Sequence, residues 1–206
     1  MAQFLAIHPV NPQARLIQQA VNIINEGGVI AYPTDSSYAL GCHIGDKNAM
    51  ERIRRIRRVD SKHNFTLVCR DLADIATYSH VDNSTYRLLK SLTPGPYTFL
   101  LKATSEVPRR LQNPKRKTIG IRVPGNTIVQ ALLEELGQPL MSSTLILPDD
   151  DMPLNDADDI VERLDKLVDL IIDGGPCPVE PTTVLSFTGE GVEVVRRGAG
   201  DTAFME

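Results

Sequence analysis

The chain has 206 residues, 42% of them hydrophobic and 23% charged, with a formal net charge of −4. This is the ordinary balance of a soluble globular protein and excludes collagen, coiled-coil and disordered chains. No apolar run approaches the ~18–20 residues of a membrane span, and the N-terminus lacks the pattern of a signal peptide, so we expect a cytoplasmic protein. The length favours one domain over residues 1–206, whose core needs no structural metal.

Charge is distributed unevenly along the chain. Residues 51–122 hold 16 Lys or Arg and 6 Asp or Glu, a net charge of +10, whereas the other residues hold 6 and 20, a net charge of −14. A basic segment gathered on one face attracts polyanions even in an acidic protein. The alternative is that its side chains are solvated or are paired with the acidic segment 149–165.

The first elements are a helix and a short strand. Apolar residues at helical spacing predict a helix over about 12–26, with Asn11 and Pro12 at its start. A buried strand follows at 29–32 and ends at Pro33, which cannot donate a ladder hydrogen bond. A loop is therefore expected after this strand.

A second, basic helix follows, capped by Asp46 or Asn48. Its apolar residues face inward, which leaves five arginines outside: Arg52, Arg54, Arg55, Arg57 and Arg58. These side chains face RNA or phosphate in the functional interpretation, and form a solvated helix face in the alternative one.

Strands and helices alternate along the rest of the chain. The patterns predict helices at about 71–78, 83–92, 126–136 and 156–166, and strands at 65–69, 97–102, 118–123, 139–146, 168–172, 182–187 and 192–196. Such alternation favours an α/β fold on one large twisted sheet. Strand directions are mixed, because only a short turn at 188–191 joins the final two strands.

Several common catalytic motifs are absent. The sequence contains no Walker loop, no dinucleotide-binding glycine motif after a strand, no HExxH and no GxSxG element. Its four histidines are scattered, which argues against a catalytic zinc. The three cysteines fit no disulfide or zinc spacing, so we expect reduced, mostly buried thiols.

The strongest local signal is residues 32–42, with the sequence YPTDSSYALGC, where a strand runs into a hydroxyl-rich loop. It resembles the YPTDTxYGLGC element of the YrdC-like family, the group that includes the threonylcarbamoyl-adenylate synthases. Further elements follow in the family's order: PGPYT at 94–98, IRVP at 121–124, PLMSST at 139–144, DGG at 173–175, PTTV at 181–184, and Arg196 with Gly198. The resemblance spans about residues 12–200 and is closest to the YciO-type subgroup.

The resemblance implies an open, twisted mixed sheet flanked by helices, with a concave basic cleft that binds nucleotides and double-stranded RNA or tRNA. Synthase members convert ATP, threonine and bicarbonate into threonylcarbamoyl-adenylate and pyrophosphate for tRNA modification. ATP or AMP with Mg²⁺ is therefore the implied ligand. The matching positions, as expected nucleotide- and substrate-binding residues, are Thr34, Arg57, Arg122, Ser142, Thr144 and Arg196.

Each matching residue type suits such a cleft. The three arginines would hold phosphate or carboxylate, and the hydroxyls would orient the substrate. Ser142 and Thr144 alternate on one face of a predicted strand with Ser143 opposite, so only the first two are expected in a pocket wall. The alternative for Thr34 is an ordinary turn cap.

The sequence departs from the synthases at two polar pairs. Gapless alignment places Arg57 and Val59 at the family's KxR pair, and Thr144 and Ile146 at its SxN pair. Two of the four polar groups are therefore missing, although a shift of one residue offers Arg58 as the second cation.

Three functions remain open from the sequence. The first is a synthase-like nucleotidyltransferase with a degenerate KxR/SxN site; the others are a non-catalytic RNA-binding paralogue and a hydrolase of adenylates. His63, beside the basic helix, has a side chain that can titrate near neutrality and serve a water or phosphate, but such a histidine is more often simply hydrogen-bonded, and we do not count it among the site residues. The expected RNA-binding surface consists of Arg52, Arg54, Arg55, Arg58, Lys115, Arg116 and Lys117.

Overall fold

Ten β-strands form one sheet at the centre of the computed structural model, which describes residues 1–206. The strands are β1 (Gln3–Ala6), β2 (Ile30–Tyr32), β3 (Ala39–His43), β4 (Thr66–Val68), β5 (Tyr97–Lys102), β6 (Thr118–Arg122), β7 (Leu140–Thr144), β8 (Leu170–Asp173), β9 (Thr183–Ser186) and β10 (Glu193–Arg196). The helices are α1 (Ala14–Asn25), α2 (Lys47–Arg57), α3 (Leu72–Tyr78), α4 (Asn83–Leu92), α5 (Thr127–Leu136) and α6 (Ala157–Leu164), with short 3-10 turns at Arg109–Leu111 and Ala203–Met205. None of the helices is both long and apolar enough to cross a membrane.

The strands lie in the order β1-β8-β2-β3-β7-β4-β6-β5-β9-β10. Four neighbouring pairs are parallel (β1–β8, β8–β2, β4–β6 and β5–β9) and the other five are antiparallel. The antiparallel pairs include β9–β10, as the short turn between them predicts. The mixed α/β sheet expected from the sequence is confirmed.

Side-chain caps begin five of the six helices, and each such cap contributes about 1 kcal/mol. The capping oxygens belong to Asp46, Asp71, Asp82, Asn126 and Asp156. α1 differs, because its N-cap Gln13 makes no capping hydrogen bond. The predicted cap Asn11 is wrong: its backbone N–H donates to His8 Nδ1 at 2.9 Å in a turn that precedes the helix.

Helices cover the two faces of the sheet unequally. α2, α3, α4 and α6 pack on one face over the larger hydrophobic core, which includes Ile53 and Ile160. α1 and α5 pack on the other face, over a smaller core that takes residues from β1, β8, β2, β3, β7 and β4. No residue of β6, β5, β9 or β10 belongs to that smaller core. Half of this second face is therefore left without a helical layer.

Three features differ from the sequence prediction. The sequence pattern does not predict β1, because four residues are too few to show a period. It predicts a loop where β3 lies, because Gly41 interrupts the apolar pattern, yet a Cβ at Gly41 would lie 2.8 Å from the Tyr32 ring, so the close β2–β3 pairing needs glycine. The helical pattern puts Arg54 on the outer face of α2, but this side chain is buried.

Candidate nucleotide cleft

The uncovered half of the sheet forms the floor of a cleft of about 860 Å³. Alternate residues of the floor strands point into it, while their neighbours point to the larger core. On β6, for example, Ile121 belongs to the core and Arg122 lines the cleft. Five of the six expected binding residues line this cleft: Arg57, Arg122, Ser142, Thr144 and Arg196.

Arg122 is held by a buried ion pair. Its Nη2 donates to Asp35 Oδ1 at 2.5 Å, and Asp35 Oδ2 accepts from the backbone N–H of Gly125 at 2.7 Å. The side chains of Arg122 and Asp35 are only 9% and 13% exposed. Burial lowers the pKa of Arg122 while Asp35 opposes that shift, and the guanidinium stays charged. Arg122 Nε is buried without any hydrogen-bond partner.

Arg57 reaches the cleft from the end of α2 and has no carboxylate partner. Its Nε donates to the Ile146 carbonyl at 3.2 Å, and its Nη1 donates to Ser143 Oγ at 2.6 Å. The same Nη1 lies 3.1 Å from His63 Nε2, which is also 3.1 Å from Ser143 Oγ. These contacts fix the guanidinium at the cleft wall while its charge stays uncompensated.

His63 is neutral in this setting. Burial first, and then the charges of Arg57 and Arg54, lower its pKa from 6.5 to about 4. His63 therefore does not titrate near neutrality, and its contacts with Arg57 and Ser143 fit the plain hydrogen-bonded role that the sequence favours.

Arg196 closes the far side of the cleft from the edge strand β10. Its Nε and Nη2 donate to the Thr182 carbonyl at 3.2 and 2.8 Å, and Nη2 lies 3.1 Å from Thr182 Oγ1. Thr182 Oγ1 in turn lies 2.8 Å from Thr98 Oγ1 on β5. Arg196, like Arg57, has no acidic partner.

The three consecutive hydroxyls of β7 have different roles. The Ser142 hydroxyl is already hydrogen-bonded within the chain, with its Oγ 2.6 Å from Tyr32 Oη. Burial raises the pKa of that tyrosine to about 12. Thr144 is exposed and its hydroxyl makes no hydrogen bond within the chain. Ser143 lies on the other face of β7, as strand alternation predicts, yet it also lines the cleft, because Arg57 and His63 extend the cleft wall to that face. The expectation that only Ser142 and Thr144 lie in the wall is therefore wrong.

Thr34 does not line the cleft. Its Oγ1 donates to the Ser37 carbonyl at 2.5 Å and accepts from the backbone N–H groups of Ser36 and Ser37, both at 3.1 Å. It caps the loop that brings Ser36 and Ser37 to the cleft rim. Sequence reasoning missed these two serines, although they stand inside the same matched motif.

The two positions that depart from the synthase pattern lie apart from each other. Ile146 lines the cleft with an apolar side chain, and Val59 does not line it. Arg58, the alternative second cation, lines a separate groove beyond α2. The second polar side chain beside Arg57 is therefore His63.

The expected RNA-binding surface is divided. Arg52 pairs with Asp169 at 2.6 Å. Arg54 is 8% exposed, donates to the Asp60 carbonyl at 2.7 Å and lies 4.9 Å above the Phe65 ring, so it joins α2 to the segment that precedes β4 and is inaccessible to a partner. The cations that remain exposed are Arg55, Arg58, Lys115, Arg116 and Lys117.

Acidic groups on the cleft are confined to its rim. Asp151 and Glu180 line the cleft and are exposed. No group of three or more His, Cys, Asp or Glu side chains in the chain is close enough to hold a metal ion. The chain thus offers cations and hydroxyls in the cleft and no ready-made metal site.

Comparison with known proteins identifies relatives of this chain. The Sua5/YciO/YrdC family model, described as "Telomere recombination", matches residues 22–198. The uncharacterised protein YciO of Escherichia coli (strain K12) is 60% identical over 201 residues, 98% of each chain. The threonylcarbamoyl-AMP synthase of Nitrosococcus oceani is 35% identical over 129 residues, 62% of this chain and 69% of the relative.

Solved structures agree with this relationship. The crystal structure of E. coli YciO has a TM-score of 0.94 and covers 98% of both chains. Sua5 from P. abyssi, solved in complex with L-threonine, has a TM-score of 0.87 at 23% identity, and covers 95% of this chain and 57% of that one. The similarity to P. abyssi Sua5 shows only that the two proteins share a fold. On the family match and the identity to its relatives, this chain belongs to the Sua5/YciO/YrdC family.

Proposed function

We propose that the cleft binds an adenine nucleotide and that the chain carries out adenylate chemistry of the threonylcarbamoyl-AMP synthase type. One observation carries the proposal: Arg57 and Arg196 face the same cleft as the buried Arg122, and neither has a carboxylate partner. Uncompensated guanidinium groups that converge on one cavity suit phosphate, which they bind in a bidentate manner.

The residues of the cleft have different roles in this proposal. Arg57 and Arg196, fixed by backbone carbonyls, hold phosphate oxygens on opposite walls. Arg122 has its Nη2 bound to Asp35 and its Nε buried, so its Nη1 is the donor left for a substrate carboxylate or phosphate. Thr144, with a free hydroxyl, orients the nucleotide.

The reaction proposed is adenylate formation on threonine carbamate. A carbamate oxygen attacks the α-phosphorus of ATP, the bond to the bridging oxygen of the β-phosphate breaks, and pyrophosphate leaves. Fixed cations stabilise the charge that develops on the phosphate oxygens. Mg²⁺ would enter with the triphosphate and neutralise part of its charge, since the chain supplies only the rim carboxylates Asp151 and Glu180. Kinship to threonylcarbamoyl-AMP synthases supports this chemistry.

Calorimetric titration with ATP and Mg²⁺ tests the proposal, followed by addition of threonine and bicarbonate and measurement of pyrophosphate. We expect binding that Arg57→Ala and Arg196→Ala each weaken, whereas Arg87→Ala, at an exposed cation of α4, leaves it unchanged. Threonine-dependent pyrophosphate release supports synthesis. Binding without release, or release of AMP from a supplied adenylate, points to a hydrolase. Absence of nucleotide binding refutes the proposal and favours a non-catalytic RNA-binding protein.

We further propose RNA as the macromolecular partner, in double-stranded form or as tRNA. The supporting observation is the exposed, unpaired turn Lys115-Arg116-Lys117, whose backbone at Lys115 and Arg116 is fixed by Asn113 Oδ1. Neutralising these three cations is expected to weaken RNA binding and to reduce its salt dependence by about one unit of slope for each phosphate that is no longer neutralised. An unchanged salt slope would contradict this role.

A further inference from the structure

A second basic groove lies on the opposite face of the sheet from the cleft. It has a volume of about 760 Å³ and runs between α2, α6 and the segment 147–149. Its cations come from two distant parts of the chain: Arg52, Arg55 and Arg58 from the basic helix, and Arg163 and Lys166 from the acidic C-terminal half. Nothing in the sequence pattern indicates that the last two join the basic helix.

The five cations fall into two classes. Arg52 is bound by Asp169, and Arg163 by both oxygens of Asp150 at 2.7 and 3.2 Å. The other three are exposed and make no hydrogen bond or ion pair within the chain through their side chains: Arg55, Arg58 and Lys166. Asp149 is the acidic residue of the groove wall, and Asp159 and Glu162 lie near Arg163. Three free cations therefore line the groove, two from α2 and its C-cap and one from the segment after α6.

Helix ends do not account for these cations. The C-terminal turns of α2 and α6 border the groove, and the partial negative charge of a helix C-terminus favours a nearby cation. A cation that serves this purpose commonly hydrogen-bonds the last carbonyls. The side chains of Arg55, Arg58 and Lys166 bond none of them, so their donors point outward and remain free for a ligand.

The end of α2 directs neighbouring arginines to different sites. Arg58 adopts a left-handed conformation with φ of 52° and lines the groove, whereas Arg57 lines the cleft. The wall between the two is one chain segment thick, because Ile146 faces the cleft and Leu147 the groove. A left-handed residue other than Gly or Asn is unusual, and here it separates two cationic sites.

We infer that this groove is a second anion site, distinct from the cleft, which takes a ligand with two or more adjacent phosphate groups. Two guanidinium groups and one ammonium group supply enough donors for at least two phosphates. The lining contains no aromatic ring on which a base could stack, so recognition is confined to the phosphates. Such binding is independent of nucleotide binding in the cleft. A free polyphosphate and the phosphates of an RNA backbone both carry this chemistry.

The test uses tripolyphosphate and, separately, a duplex RNA of about 20 base pairs. The variant is Arg55→Gln/Arg58→Asn, in which Gln suits a helix and Asn tolerates the left-handed conformation. The matched control is Arg87→Gln/Lys90→Gln, which removes two exposed cations from α4. We expect the first variant to weaken binding about tenfold or more and the control to change it less than about twofold. The side-chain Nε–Hε NMR signals of Arg55 and Arg58 should shift on titration.

Tripolyphosphate binding with this variant dependence supports a free polyphosphate ligand, and the same dependence for RNA alone supports backbone phosphates. Equal weakening in variant and control, or no binding of either probe, overturns the inference. Failure here and failure of the proposed nucleotide site are distinguishable, because Arg196→Ala should weaken ATP binding in the cleft and leave unchanged the part of tripolyphosphate binding that depends on Arg55 and Arg58.

Discussion

The ion pair between Asp35 and Arg122 allows a quantitative test of how far the cleft floor excludes water from these two charges. In the native protein Arg122 is only 8% exposed and its Nε already lacks a partner; Asp35→Ala removes the partner of its charge and frees the Gly125 N–H. Removing one member of a buried pair costs about 3–5 kcal/mol, because the other charge remains buried and uncompensated. For a chain of this size each kcal/mol lowers Tm by about 2–4 °C, so Tm should fall by roughly 6–20 °C.

Equilibrium unfolding in urea, with Tm measured in parallel, provides the assay. Arg122→Met in the Asp35→Ala background removes the stranded charge and should restore most of the stability, since an apolar replacement of a buried pair is often neutral or stabilising. Asp35→Asn isolates the charge, because it retains an acceptor for Gly125. A decrease below about 1 kcal/mol for Asp35→Ala would refute the reasoning, since that is the value of a solvated surface pair.

Three further predictions concern the cleft and its rim. Thr34→Val should lower the free energy of unfolding by about 1–3 kcal/mol and weaken nucleotide binding without removing a ligand contact. Thr34→Ser should keep both stability and binding. Binding by the Val variant that equals that of the native protein would contradict the capping role. The pKa of His63 is about 4 in the folded chain and 6.5 ordinarily, so the unfolded chain takes up this proton at higher pH than the folded chain does. The free energy of unfolding should therefore fall as pH drops from about 6.5 to 4. His63→Gln should reduce this dependence of the free energy of unfolding on pH. Gly120→Val should block the cleft, because a Cβ at this position already lies 3.0 Å from Thr66 Cγ2. Gly189→Val, in an open turn, serves as the control. Undiminished nucleotide affinity in Gly120→Val would place the ligand elsewhere.

Periodicity predicts the elements of this chain better than it predicts side-chain partners. α4 and β5 have the bounds that the sequence predicts, because Asp82 caps the helix and Pro96 precedes the strand. Arg54 shows the opposite case. An arginine at an outward position of a basic helix carries no sign that the aromatic ring of Phe65, just before β4, will cover it.

For the candidate site, too, the sequence predicts the positions of residues better than it predicts their contacts. The matched motifs locate Arg57, Arg122 and Arg196, since each lies at or near the end of a helix or strand that the pattern predicts. They do not show that Thr34 caps a loop or that Ser143 contacts Arg57, because both depend on where distant chain segments meet. Likewise, Arg163 and Lys166 join the basic helix only through packing of α6 beside α2.

The half-covered sheet gives a bound ligand a structural as well as a chemical role. α1 and α5 shield one half of the second face, and the other half faces solvent. Its floor combines the threonines Thr66, Thr98 and Thr182 with the apolar side chains of Leu100 and Val184, so part of the apolar surface of the sheet lies open in the cleft. A nucleotide seated on this floor would act as the missing layer and tie β4, β6, β5 and β9 together. Occupancy should thus rigidify the half of the sheet that folding alone leaves least supported.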